Sequence, residues 1–215
     1  MHKFYRTATS VAVVVWLGLA SFIQAAPLAL GDVIVTDSEN DAVWLVDPTG
    51  DNDPTKLTEN GLLSAVGHVA IDNDGQIFIA EANATSGQFK GIVQYDPVSD
   101  TQSEFASFGS ITGATPTGIA IEADGSFIVT DQFKHTLYRV SPDGSTINEI
   151  TTSGANLLAS NIPWGVAIDP TGNIIVATVN NDSIISIDPT TGDQTELTSG
   201  GDIDGPRGVT VDGNG

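Results

Sequence analysis

One short block recurs along this chain, and the recurrence constrains the fold more than any single residue does. The copies run over Gly67–Glu81 (GHVAIDNDGQIFIAE), Gly118–Asp131 (GIAIEADGSFIVTD), Gly165–Thr178 (GVAIDPTGNIIVAT) and the shorter Gly208–Gly215 (GVTVDGNG). A headless copy stands at Gly31–Asp37 (GDVIVTD). The turn glycines Gly31, Gly75, Gly125, Gly172 and Gly215 are spaced 44, 50, 47 and 43 residues apart. A period in the forties built of short strands is what a β-propeller blade requires.

The copy around Gly165 shows how the repeat makes a four-stranded antiparallel blade. Gly165–Asp169 alternates small and apolar residues, as an inner strand near a crowded axis must. Pro170-Thr171-Gly172 is a tight turn, with proline presetting φ and glycine supplying the positive-φ corner. Asn173–Ala177 is β-branched and strongly apolar, Ser183–Ile187 reads as a third strand, and Gln194–Thr198 is a polar outer strand. Third strands are expected again at Ala42–Val46, Gly91–Tyr95 and Thr136–Val140, and fourth strands at Thr55–Thr58, Gln102–Ser107 and Thr146–Thr151. No stretch after the first 25 residues sustains a 3.6-residue period, so the expected class is all-β with essentially no helix.

The pattern P-x-G-[IV]-A-[IV]-D-x-x-G-x-[IV]-x-[IV]-[AT]-[DE], followed by a loop and Ile-x-x-Ile-Asp-Pro, resembles the NHL-repeat propellers. It is similar also to their relatives, the streptogramin (virginiamycin B) lyases and the gluconolactonase/senescence-marker lactonases. The resemblance covers nearly all of residues 31–215. It implies a six-bladed ring, whereas the repeats here add up to about four blades: the first lacks an inner strand, and Gly208–Asp212 supplies only an inner strand. Two readings follow. Either that last strand completes the first blade and closes a four-bladed ring, or the chain is a fragment of a six-bladed propeller truncated at its C-terminus, which is the reading preferred on sequence.

Residues 1–25 read as an export signal. His2, Lys3 and Arg6 precede the apolar run Val11–Ala20, and small residues follow, with cleavage expected after Ala25. The propeller is then expected over 26–215, in a periplasmic or secreted protein with no membrane span after the signal. The chain holds 7 Lys and Arg against 27 Asp and Glu; removing the signal leaves 5 against 27, a formal charge of −22. A field of that sign repels nucleic acid, which is not expected as a partner. With no cysteine, neither disulfides nor thiolate metal sites are available.

Site residues are sought where the repeat is broken. Loops entering the inner strands share one end of a propeller with those joining second to third strands, the central loop face. Trp164 and Arg207 stand there at a position otherwise small or apolar, and His68 follows the glycine of its own copy. Asp37, Glu81 and Asp131 close successive second strands, with Thr178 in the fourth copy. These carboxylates have two readings: oxygen ligands for calcium or magnesium around the axis, as the lactonase resemblance implies, or caps accepting N–H groups of the loops that follow them. Asp72–Gly75 resembles part of a calcium loop but occupies a hairpin turn, and Asp47–Asp53 lacks the terminal glutamate of such a loop.

The expected ligand contacts are therefore His68, Glu81, Trp164 and Arg207, with Asp37, Glu81 and Asp131 as the metal-ligand candidates. No catalytic set is identifiable. The leading functional expectation is an exported, non-catalytic module binding a small molecule or a protein at the central loop face, with stability unchanged when Glu81 or His68 becomes alanine. The alternative is a metal-dependent lyase or lactonase.

Overall fold

The computed structural model describes residues 28–29, 31–49, 53–82, 88–150 and 161–212. The expectations placed on the signal and on Thr151 lie outside them. The described residues form fifteen strands and no helix, and so include no helix long and apolar enough to cross a membrane.

The strands assemble in chain order into four antiparallel sheets. Blade one holds β1 (Val33–Asp37), β2 (Ala42–Val46) and β3 (Thr55–Glu59). Blade two holds β4 (Val66–Ile71), β5 (Ile77–Glu81), β6 (Gly91–Asp96) and β7 (Thr101–Ser107). Blade three holds β8 (Pro116–Ile121), β9 (Phe127–Asp131), β10 (Thr136–Val140) and β11 (Ile147–Glu149), and blade four β12 (Pro163–Ile168), β13 (Ile174–Thr178), β14 (Ser183–Ile187) and β15 (Gln194–Ser199). The blade order read from the repeat is thus the order of the fold.

Period-two alternation sends each second strand's side chains into two different cores. In β5, Ile77 and Ile79 pack toward blade one with Val43, Val93 and Tyr95. Phe78 and Ala80 turn the other way, toward Phe127 and Val129 of blade three. In β9, Ile128 reaches Ile174, Val176 and Ile185 of blade four. Phe78, Phe105 and Phe127 meet with ring centroids 4.6–5.1 Å apart, in tilted and edge-on arrangements that suit their quadrupoles. All five residues of β5, of β9 and of β13 are buried, whereas β15 is exposed along most of its length. The apolar gradient from second to fourth strand is therefore a gradient from core to rim.

Inner strands of consecutive blades approach so closely that only glycine fits between them. A Cβ on Gly67 would collide with the carbonyl oxygen of Thr117, and one on Gly118 with that of Trp164. On Gly165 it would come within 2.5 Å of the Arg207 carbonyl oxygen. Each contact joins one blade's glycine to the backbone of the next blade.

Two sequence expectations are corrected here. Gly208–Asp212 is not a paired strand, because no described segment lies beside it as an antiparallel partner; it runs along β12 in the place of a next inner strand. Nor does it complete blade one, whose sheet remains three-stranded among the described residues, with β1 at its edge. The closed four-bladed ring is not formed.

Candidate functional site

Every complete inner strand opens with a β-bulge. Val66 pairs with Glu81 and Val69 with Ile79; Pro116 pairs with Asp131 and Ile119 with Val129; Pro163 pairs with Thr178 and Val166 with Val176. One extra residue is thereby carried at the end of the blade where second strands finish, and a bulge of this kind re-aims the side chains on it. The register also changes one alignment. His68, not Gly67, takes the position held by Gly118 and Gly165, so Gly67 falls in the column of Thr117 and Trp164. His68 is half-buried, and burial pushes its imidazole pKa down.

The three carboxylates are taken up within their own blades. Glu81, with no exposed surface, accepts the backbone N–H and the hydroxyl of Ser64 at 3.0 and 3.1 Å. Asp131, equally buried, accepts the N–H of Thr115 at 2.9 Å on one oxygen and those of Phe133 and Lys134 at 3.1 and 3.0 Å on the other. Asp37 accepts the N–H groups of Glu39 and Asn40 and the Asn40 side-chain amide. The Asn40 amide is the leading cause holding Asp37 below the ordinary carboxylate range, burial opposing it and the backbone bonds adding to it. Thr178 replaces the carboxylate in blade four and bonds Ser183. Among the described residues no three His, Asp or Glu side chains converge as metal ligands. The oxygens proposed for a lactonase-type calcium or magnesium site accept local N–H and O–H groups within their own blades.

The turns at the opposite end behave alike. Asp72 accepts the N–H groups of Asp74 and Gln76, each at 2.9 Å, with Gly75 at φ 79°. Asp169 does the same for Thr171 and Asn173 at 2.8 Å.

Trp164 and Arg207, by contrast, are brought together. They occupy the same column in consecutive inner segments, and the Arg207 guanidinium lies 4.4 Å from the centroid of the Trp164 ring. Arg207 is exposed and Trp164 half-buried. Two contacts that sequence reasoning missed support the pair. Thr130, fully buried on β9, donates its hydroxyl to the Trp164 carbonyl at 2.7 Å and accepts the Gly118 N–H at 2.7 Å. Asp182 accepts the Gly205 N–H at 2.8 Å, tying a hairpin loop to the segment that leads into Arg207. The signal for Thr130 was a hydroxyl at a position where Ala80 and Ala177 stand in the copies.

His135 ends the β9–β10 loop at φ 55°, the left-handed position held by Asp41 and Asp182 in their blades. It is half-buried, and its Nδ1 is buried with no hydrogen-bond partner among the described residues. His68, Glu81, Trp164 and Arg207 thus share one end of the blades, and Trp164 and Arg207 are in contact there.

Comparison with solved structures places this geometry. Virginiamycin B lyase from Staphylococcus aureus is 19% identical, with a TM-score of 0.63 over 86% of this chain and 57% of that one. A structure attributed to a gluconolactonase is 14% identical, with a TM-score of 0.62 over 82% of this chain and 63% of the other. A chain of the Nidogen/Laminin complex is 18% identical, with a TM-score of 0.60 over 85% and 70%. At these identities the likeness is one of fold, and the chain spans less than two thirds of the length of the lyase and gluconolactonase structures. No curated protein matches the chain. Residues 18–200 match the model described as SMP-30/Gluconolactonase/LRE-like region, and the chain, with its ordered propeller blades, belongs to that family.

Proposed function

We propose that this chain is an exported binding module that holds a small molecule or a protein segment at the end of the blades where the inner strands begin. The observation that carries this reading is the stacked Trp164–Arg207 pair. Aromatic and guanidinium groups supply contact area and directional donors at little entropic cost, which is why they dominate binding sites. The acids nearest them in the repeat, Glu81 and Asp131, are already bonded to their own loops and are poorly placed to act as a general base or a metal ligand. Export rests on the N-terminal apolar run. The test is ligand-observed NMR with a fragment mixture on the full chain and on Trp164→Leu. Binders that lose their signal with the variant support the module, and an absence of binders to the wild type overturns it.

A metal-dependent lyase or lactonase is the second reading, favoured by family membership and by the likeness to virginiamycin B lyase. A calcium or magnesium titration followed by melting temperature, together with hydrolysis of gluconolactone, separates the two. Metal-dependent turnover by the full chain would replace the module with the enzyme.

A further inference from the structure

Among the described residues two cations are held by carboxylates, whereas Lys134 reaches only the Thr112 carbonyl and Arg207 has no carboxylate partner. Lys56 is paired with Glu59 at 2.7 Å, and Arg139 is held by both oxygens of Glu122 at 2.6 and 2.9 Å. Arg207 forms no ion pair among the described residues, although Asp202 and Asp204 lie within five positions of it and the whole chain carries a formal charge of −20. Its guanidinium lies over the Trp164 ring at 4.4 Å from the centroid, closer than Lys56 lies over Trp44 at 5.3 Å. The guanidinium is a planar fork of N–H donors matched to a two-oxygen acceptor, and that of Arg207 is exposed with no ion pair among the described residues. Trp164 in turn is fixed from behind, its carbonyl bonded to buried Thr130 and its neighbour Gly165 pressed against the Arg207 backbone. Both members of the pair are therefore anchored by main chain, which leaves their side chains to face a ligand.

From this geometry we infer that the pair recognises a carboxylate borne on a flat apolar body: the carboxylate engages the edge of Arg207, and the body lies beside the Trp164 ring. The inference rests on the binding-module reading and narrows it. Two features select the charge of the ligand. The planar fork favours paired oxygens over a point contact. The net negative charge of the chain disfavours multiply charged anions such as phosphate, because repulsion grows with ligand charge within a Debye length of roughly 8 Å. The carboxylate could belong to a free aromatic acid or to the C-terminus of a peptide, and the chemistry at Arg207 is the same for both.

The experiment is a calorimetric and tryptophan-fluorescence titration of the full chain with four probes: benzoate, benzamide, N-acetylphenylalanine and inorganic phosphate. Benzoate is expected to bind at least about ten-fold more tightly than benzamide, a difference of about 1.4 kcal/mol. Arg207→Gln should remove that preference, bringing benzoate and benzamide to equal affinity. Arg207→Lys should restore only part of it, because an ammonium has the charge without the fork. N-acetylphenylalanine binding more tightly than benzoate would assign the carboxylate to a peptide terminus, and weaker binding would assign it to a free acid; either supports the shared chemistry. Equal affinity for benzoate and benzamide, insensitivity to Arg207→Gln, or phosphate binding as well as benzoate overturns the inference. In those cases fragments lost with Trp164→Leu would still leave the binding-module reading standing, so the two failures are distinguishable.

Discussion

Replacing Thr130 by valine exchanges a hydroxyl for a methyl at almost constant volume, so no cavity opens and the change isolates one polar contact. Thr130 has no exposed surface. Its hydroxyl is bonded at 2.7 Å to both the Trp164 carbonyl and the Gly118 N–H, and so joins blade three to blade four. Valine strands both backbone groups, each at a cost of about 1–3 kcal/mol when the group stays buried. Part of that is recovered by relaxation, and the expected loss is about 2–4 kcal/mol. For a chain of this size each kcal/mol lowers the melting temperature by about 2–4 °C, which gives a drop of roughly 5–15 °C. Thr130→Ser keeps the hydroxyl and removes a methyl, at a cost of about 1 kcal/mol. The expected order is therefore wild type, serine, then valine, whereas an order set by hydrophobicity would put valine first. Urea unfolding followed by circular dichroism measures all three. Valine as stable as the wild type, or more stable than serine, would refute the account of the inter-blade bond.

Glu81→Ala is expected to destabilise the fold by about 2 kcal/mol, since it empties a fully buried position and releases both Ser64 bonds. This reverses the expectation from sequence that the substitution is silent, and an unchanged urea midpoint would restore it. Acid should weaken the fold over a definite window. The Ser141 and Ser145 hydroxyls hold the Asp143 carboxyl down at about 2, and Asp169 is held at about 2 by Thr171 and Asn173 against burial, which pushes it up. Both folded values lie below the unfolded value of about 3.9, so their contribution is complete above pH 4 and is lost as the pH falls toward 2. A urea midpoint unchanged between pH 5 and pH 2.5, or one whose pH dependence is undiminished in Asp169→Asn, counts against this assignment.

The blades were legible in the sequence because each strand's environment is written in its own period and its own turn. Ala42–Val46 and Thr136–Val140 fall where the copies place them. The turn aspartates were legible for the same reason, as their partners lie two to four residues away. What sequence left open depends on contacts between blades. Gly208–Asp212 has the composition of an inner strand, yet a strand is a ladder and needs a neighbour, which composition does not supply. His68 was misaligned by one position because two candidate columns, Gly67 and His68, differ only in register with β5. Trp164 and Arg207 stood out singly as exceptions, but their stacking follows from which inner segments are adjacent. Thr130 and Asp182 act across 34 and 23 residues, distances at which no local pattern reports a partner.

The glycine contacts between inner strands carry a consequence for how such a chain can change over time. Thr117, Trp164 and Arg207 all serve the same neighbouring-blade contact through their carbonyl oxygens alone. A hydroxyl, an indole and a guanidinium are interchangeable in that role, because the neighbouring blade meets only main chain there. Substitutions at this column can therefore alter what the rim recognises while the spacing between blades stays fixed. The scaffold tolerates experiment at the positions where a new specificity would arise, and resists it one residue later at Gly118 and Gly165.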